Sequence, residues 1–300
     1  MILRHWFFRM ALFAVLAFAV KLGAQDPSWT RPFPPHRIAG NLYYVGSEDL
    51  ASYLIVTPQG SILINSSLEA SVPLIRKSIE QLGFRFSDIK ILLISHAHYD
   101  HCAGSALVKE LTGAKYFVMG ADVPVVESGG RTDFQYGARK EMQFPAAHVD
   151  RVLHDGDKVR LGGAVLTAHL TAGHTKGTTT WALDETEFGP SGSEGAEGHR
   201  TLHVVIVGSP NVNPGYKLVG NKAYPQIASD YSHGFEVLKG LPCDIFLGAH
   251  GGYYAMKAKY ERWKGGERDP FIDPEGYKSY IADREASFEA ELKRQEAGMR

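Results

Sequence analysis

The hydrophobic and polar positions divide the chain into short runs of two kinds. "NLYYVG", "ASYLIV" and "SILINS" are β-type runs of branched and aromatic residues, and "TPQG" between the last two reads as a hairpin turn. "SVPLIRKSIEQLGF" instead places Val72, Ile75, Ile79 and Leu82 at helical spacing, with Gly83 as the stop. "IKILLIS" is continuously apolar, as a strand buried on both faces would be. A helix over "AGSALVKELTG", a strand "AKYFVMG" and a helix over residues 122–128 follow. The second half repeats the plan. Strands around "RVLHDGDKVRLGGAVLTAHL", "TTTWALD" and "TLHVVIVG" precede a helix near "ASDYSHGFEVLKGL", the strand "DIFLGAH" and two closing helices, the last over Pro274 to Glu296. Two βββαβα-like halves predict sheets packed together with helices outside. Residues 185–200, polar and rich in glycine and serine, read as the tip of a long hairpin.

The first residues follow a different rule. "MILRHWFFRM" carries Arg4 and Arg9, "ALFAVLAFAV" is apolar, and "KLGA" ends on small residues. That is the basic start, short apolar core and cleavage site of a secretory signal peptide. An apolar run of about ten residues is too short to anchor a chain across a bilayer. Residues 1–24 are therefore expected to be removed, after Ala24 or alternatively Ala19, leaving residues 25–300 as a single periplasmic domain.

Composition narrows the classes. A chain of 300 residues, 44% hydrophobic and 22% charged, can bury a real core. A net charge of −1 with no basic stripe argues against nucleic acid as partner. Cys102 lies beside the histidine cluster described next, whereas Cys243 opens the strand that ends at His250. If His250 joins that cluster, the thiols stand about 20 Å apart at 3.3 Å per residue. That is beyond disulfide reach, so both are expected to be free.

The chemistry concentrates after the buried strand, in "SHAHYDHCAG". Alternate side chains of an extended segment share a side, so His96, His98 and Asp100 are expected to point one way, with His101 at the turn into a helix. Unpaired imidazoles and a carboxylate are costly to bury, and this mixture of nitrogen and oxygen donors suits zinc. Four donors from one loop cannot surround a single ion. His174 in "LTAGHTKGTTTW" and His250 in "IFLGAHGG", each closing a strand, are the candidates to complete the set. His5, His36, His148, His154, His169, His199, His203 and His233 lack that setting.

"HAHYDH", "AGHTKG" and "GAHGG" resemble the metal motifs of the metallo-β-lactamase superfamily, in order over residues 41–256, and within it the chain is similar to subclass B3. The resemblance implies an α+β fold, a four-layer αββα sandwich with the metal site at one edge of the sheets. It implies two zinc ions per chain, one held by His96, His98 and His174, the other by Asp100, His101 and His250. The activity implied is hydrolysis of the amide bond of small-molecule β-lactams by a hydroxide formed at the two-zinc site, with Asp100 orienting it. A monomer with no membrane anchor after signal removal is expected. Hydrolases of this fold that act on lactones, thioesters or phosphoesters usually carry a metal-bridging aspartate after the strand that is "TLHVVIVG" here. Subclasses B1 and B2 place a zinc-binding cysteine there, and subclass B2 has asparagine at the position of His96. This chain has Ser209 after that strand. A periplasmic zinc-binding protein without catalysis is the alternative from another class.

Two departures from the resembled pattern stand out. The loop that helps hold the β-lactam carboxylate typically reads Ser-x-Ser, but here it is Ser209-Pro210-Asn211 and one residue longer. Ser209 and Asn211 are still expected to bind substrate. Some subclass B3 members pair the cysteine of "LPCD" with one further on, where this chain has Tyr277. No serine nucleophile is needed, so Ser66 and Ser67 have no assigned chemistry. Trp29, Phe33, Tyr99 and the segment Phe134–Tyr136 are candidate walls of the substrate pocket.

Overall fold

The computed structural model describes residues 26–188 and 199–298. The expected signal peptide and the centre of the 185–200 hairpin tip lie outside the described residues. The first sheet runs in chain order through β1 (His36–Ala39), β2 (Leu42–Tyr44), β3 (Tyr53–Thr57), β4 (Gly60–Ile64), β5 (Ile89–Leu93), β6 (Lys115–Met119) and β7 (Arg151–Leu153). The second has the order β12 (Ile245–Gly248), β11 (His199–Val207), β10 (Thr179–Phe188), β9 (Ala164–Leu170) and β8 (Lys158–Leu161). Helices α1 (Val72–Gln81), α2 (Tyr99–Cys102), α3 (Ser105–Thr112) and α4 (Val123–Glu127) accompany the first sheet. The others are α5 (Ile227–Gly240), α6 (Met256–Lys264) and α7 (Pro274–Ala297).

Period-two geometry explains why the central strands β3, β4 and β5 carry apolar residues on both faces over most of their length. Tyr53, Ile55, Ile62, Ile64, Ile91 and Leu93 pack into the core between the sheets. Their neighbours Leu54, Leu63 and Leu92 pack into the outer core under α1, with Val72, Ile75 and Ile79. Each such side chain contributes about 1.5–3 kcal/mol when fully buried. On the second sheet, Trp181, Val204 and Ile206 join the same inner cluster as Phe235 and Leu238 of α5 and Ile281 and Phe288 of α7. This is the expected αββα sandwich.

Four local expectations need correction. β1 forms within what read as a Pro-rich entry. β7 joins the first sheet by parallel pairing with β6, not the second half, because sheet membership is set by a long-range partner that periodicity does not reveal. β5 is not buried on both faces throughout, since Lys90 is exposed. Residues 185–188 and 199–200 extend the β10–β11 ladder, so the tip is shorter than 185–200.

Both thiols are free. Cys102 is buried in the outer core with Val72 and Val108, and burial raises its pKa. Tyr277, in the neighbourhood where some members of the resembled subclass have a second cysteine, is buried and donates its hydroxyl to the Leu238 carbonyl at 2.6 Å. No helix among the described residues is long and apolar enough to cross a membrane.

One buried group makes the fold acid-sensitive. His36 lies between the rings of Tyr44 and Phe271, 5.4 Å from each and nearly parallel to both. Its Nδ1 meets the Pro34 carbonyl at 2.9 Å, but its buried Nε2 has no partner. Burial lowers its pKa from 6.5 to about 4, the Pro34 bond opposing only in part. The unfolded chain therefore takes up a proton near pH 6.5 that the folded chain refuses until about pH 4. Stability is unaffected above this window and falls as pH drops through it, by on the order of 3 kcal/mol. His36→Phe should remove that component. The difference in unfolding free energy between variant and wild type should grow by a comparable amount from pH 7 to pH 4 in denaturant titrations, and a constant difference would contradict the assignment.

Candidate metal centre

The donors gather at one edge because strand direction puts them there. β4, β5 and β6 are parallel, so the loop after β5 leaves at their carboxyl ends. In the second sheet β11 and β12 are parallel and β10 runs against them. The end of β11, the end of β12 and the β9–β10 turn therefore share an edge, bringing Ser209, His250 and His174 together. Two bonds stitch the sheets here: Thr179 N–H to the Ser95 carbonyl at 2.7 Å and Trp181 Nε1–H to the Ile94 carbonyl at 3.0 Å.

One ring nitrogen each from His96, His98 and His174 lies within 4.8 Å of the others, and all three side chains are buried. Nδ1 of His98 faces Nε2 of His174 at 3.1 Å. Beside them, Nε2 of His101 stands 3.2 Å from Oδ2 of Asp100 and 3.2 Å from Nε2 of His250, which is 3.6 Å from the same carboxylate oxygen. His96 also falls within 4.8 Å of Asp100 and His101, so the two sets adjoin. The six residues proposed from sequence thus converge, although Asp100 does so from the helical turn α2 rather than from an extended segment. Among the described residues, none of the other histidines joins a metal-capable group.

The cluster suits a metal ion. Nε2 of His96 is buried without a hydrogen-bond partner, and the Nε2 lone pair of His174 points at Nδ1 of His98, 3.1 Å away. Such groups are costly unless a cation meets them. Tautomers are fixed from behind, as metal-binding imidazoles require. His174 donates Nδ1–H to the Asn211 carbonyl at 2.8 Å, and His250 donates Nδ1–H to Asp49 Oδ2 at 2.8 Å. Each leaves Nε2 free as a ligand atom. Burial, then the neighbouring His98, lowers the pKa of His174 to about 3. Burial, then His101 and His174, holds His96 well below the ordinary value. Burial opposes ionisation of Asp100, but His101 and His250 outweigh it and keep the carboxyl below its usual range. Burial likewise opposes protonation of His250, yet Asp49 and Asp100 raise its pKa above 6.5.

A group that sequence reasoning missed organises the loops. Asp122 is buried and accepts from Ala97 N–H and Thr175 Oγ1–H on Oδ2 and from Gly177 N–H on Oδ1, each at 2.8 Å. One carboxylate thereby ties the residue between His96 and His98 to the turn that carries His174. Its sequence signal was that of an ordinary helix cap, an aspartate before Val-Pro, yet it makes no capping bond to α4. Asp49 and Asp133 were missed for the same reason, since each meets its histidine across a long chain separation; Asp133 Oδ2 lies 3.7 Å from His98 Nε2. Asn65 Oδ1 accepts from Ser95 N–H at 2.8 Å, and the Ser66 and Ser67 N–H groups both reach the His101 carbonyl. The hydroxyls of Ser66 and Ser67 are buried against Ser105 and Ser52, which makes them structural.

A cavity of about 340 Å³ opens above the donors. Trp29, Tyr99 and Tyr136 line it as expected, together with Met142, Phe144 and Tyr253, which sequence reasoning did not single out. Phe33 and Phe134 do not belong to this wall. Phe33 packs edge-on to Tyr260 at 4.9 Å, and Phe134 packs against Tyr216 and Tyr224. Asn211 lines the cavity, whereas Ser209 is buried behind it, 3.2 Å from the Tyr253 hydroxyl.

Comparison with known proteins gives this arrangement a context. The metallo-beta-lactamase superfamily pattern matches residues 50–188. The chain is similar to the native FEZ-1 metallo-β-lactamase from Legionella gormanii, at 56% identity and a TM-score of 0.85 over 89% of this chain and 98% of that one. It is similar to BJP-1, a subclass B3 metallo-β-lactamase of Bradyrhizobium japonicum, at 34% identity and a TM-score of 0.81 over 91% and 99% of the two chains. It is also similar to the class B3 di-zinc metallo-β-lactamase LRA-12 from an Alaskan soil metagenome, at 35% identity and a TM-score of 0.80 over 88% and 96%. Likeness of that extent, in sequence and in the whole sandwich, places the chain in the metallo-β-lactamase superfamily, among its subclass B3 enzymes.

Proposed function

We propose that the protein opens the amide bond of β-lactams with two zinc ions, one held by His96, His98 and His174 and the other by Asp100, His101 and His250, and that it works in the periplasm after losing residues 1–24. The observation that carries this reading is the pair of adjoining donor sets, one of three imidazoles and one of Asp-His-His, beneath a single cavity. Bound there, zinc supplies a Lewis acid for the lactam carbonyl and brings the pKa of water down to about 7.

The chain's own groups do the rest. Three neutral imidazoles leave the cation's charge undiminished. Asp100, ionised and 3.2 Å from His101, stands where it can orient the attacking water and receive its proton. The Asn211 carbonyl and Asp49 hold His174 and His250 in the tautomers that offer Nε2. Trp29 and Tyr99, with ring centroids 6.0 Å apart, line the side of the cavity next to His250, whose ring lies 6.1 Å from Trp29. Ser66 and Ser67 are engaged within the fold, and among the described residues no serine lines the cavity.

The test is a panel of penicillins, cephalosporins, carbapenems, lactones and thioesters given to purified protein with and without chelator. β-Lactams should be hydrolysed far faster than the rest, activity should vanish with chelator, and added zinc should restore it. Turnover by metal-free protein, or turnover confined to lactones or thioesters, would refute the reading. Tight zinc binding with no turnover would favour the non-catalytic alternative. N-terminal sequencing of protein recovered from the periplasmic fraction should begin at Gln25.

A further inference from the structure

The cavity lacks a positive side chain. Among the described residues that line it there is no lysine or arginine, whereas Asp49, Asp100 and Asp133 all face it. An anionic substrate must therefore be met, apart from metal, by neutral donors. The amide of Asn211, expected to serve, is already engaged. Its Nδ2 donates to the Tyr253 hydroxyl at 2.8 Å. Asn213, two residues on, does the same on the other side of the cavity, donating Nδ2–H to the Tyr136 hydroxyl at 3.0 Å. A phenol has one proton and two lone pairs. An asparagine that occupies a lone pair leaves the phenol's own proton for something else.

The two tyrosines stand on different sides. The Tyr136 ring lies 5.2 Å from His98, in the three-histidine set. The Tyr253 ring lies 5.1 Å from His250, in the Asp-His-His set, and stacks on Tyr280 at 5.2 Å. The ring packs directly on Gly248, where a Cβ would come within 2.7 Å of its Cδ2. In a bicyclic β-lactam the ring carboxylate is borne by the carbon next to the lactam nitrogen. With the lactam carbonyl set against the three-histidine side and the nitrogen toward the Asp-His-His set, the carboxylate falls on the side of Tyr253.

We propose that Tyr253 is the substrate-carboxylate donor of this enzyme, its hydroxyl aimed by Asn211 and held beside Ser209 until a β-lactam carboxylate takes its proton as a hydrogen bond. In this arrangement Asn211 and Ser209 are positioning residues rather than direct contacts. The proposal rests on the β-lactamase reading given above.

The experiment compares wild type with Tyr253→Phe and Tyr136→Phe on one penicillin as its free acid and as its methyl ester, with zinc content measured in parallel. Phenylalanine keeps the ring stacking and removes only the hydroxyl. For Tyr253→Phe, KM on the free acid should rise about tenfold with kcat within a factor of about two, the signature of a charge-assisted bond kept equally in ground and transition states. On the ester the variant should match wild type, and its zinc content should be unchanged. Tyr136→Phe should show no such preference between acid and ester. An unchanged KM on the acid, an equal change on acid and ester, or a loss of zinc would each overturn the assignment of Tyr253 while leaving the enzyme a β-lactamase. Absence of turnover by wild type would instead defeat the functional reading, and this proposal with it.

Discussion

His174→Ala should lower kcat/KM for a penicillin by roughly a thousandfold, about 4 kcal/mol of barrier, whereas His250→Ala should cost on the order of ten- to a hundredfold. The asymmetry follows from what each set retains. His174 is buried, its Nε2 faces His98 at 3.1 Å, and its loss leaves two neutral imidazoles to hold the ion that activates water. Loss of His250 leaves Asp100, a full negative charge, beside His101 at 3.2 Å. That pair still attracts a cation, and the three-histidine set is intact. Metal analysis should find close to two zinc ions per wild-type chain and fewer in each variant, with circular dichroism confirming that both variants fold. Equal activity of His174→Ala and wild type would show that the chemistry lies elsewhere.

Asp122→Ala should weaken zinc binding by about 10- to 100-fold, although Asp122 touches none of the donors. Removing the carboxylate strands three buried donors, the Ala97 and Gly177 N–H groups and the Thr175 hydroxyl. Each unsatisfied donor costs about 1–3 kcal/mol, and the loops of His96–His98 and His174 lose their common anchor. Thermal melting of metal-free protein should fall as well, which separates this role from that of a ligand. Gly177→Ala should behave alike, because a Cβ there would meet Asp122 Cγ at 2.6 Å. Chelator competition reads the affinity directly. Wild-type zinc affinity in both variants would mean that the loops hold their geometry without the carboxylate.

The sequence disclosed the donors more readily than what arranges them. His96, His98, Asp100 and His101 are legible because four chemically costly residues crowd into one short segment after a buried strand. His174 and His250 are legible because each ends a strand in the same manner. The groups behind them are not, since Asp122 meets Ala97 only after α2, α3 and β6 have folded back, and Asp49 meets His250 across almost the whole chain. The pattern of β-type runs marked most strands of the sandwich, but β1 was masked by its prolines and β7 went to the wrong half. Phe33 and Phe134 failed as cavity walls because aromatic character alone does not say which face a side chain will take. The engagement of Asn211 with Tyr253 was equally out of reach, for it depends on two loops that meet only at the shared edge of the sheets.

The carbonyl of Asn211 accepts both the His174 Nδ1–H and the Tyr231 hydroxyl, at 2.8 and 2.7 Å. Every amino acid has that carbonyl. The side chain at position 211 is thus released from holding His174, and what constrains it is the aiming of Tyr253. Resistance that shifts by single substitutions would find in this loop a place where substrate preference can change without loss of the metal centre, because the backbone keeps the histidine in register whatever side chain stands at 211.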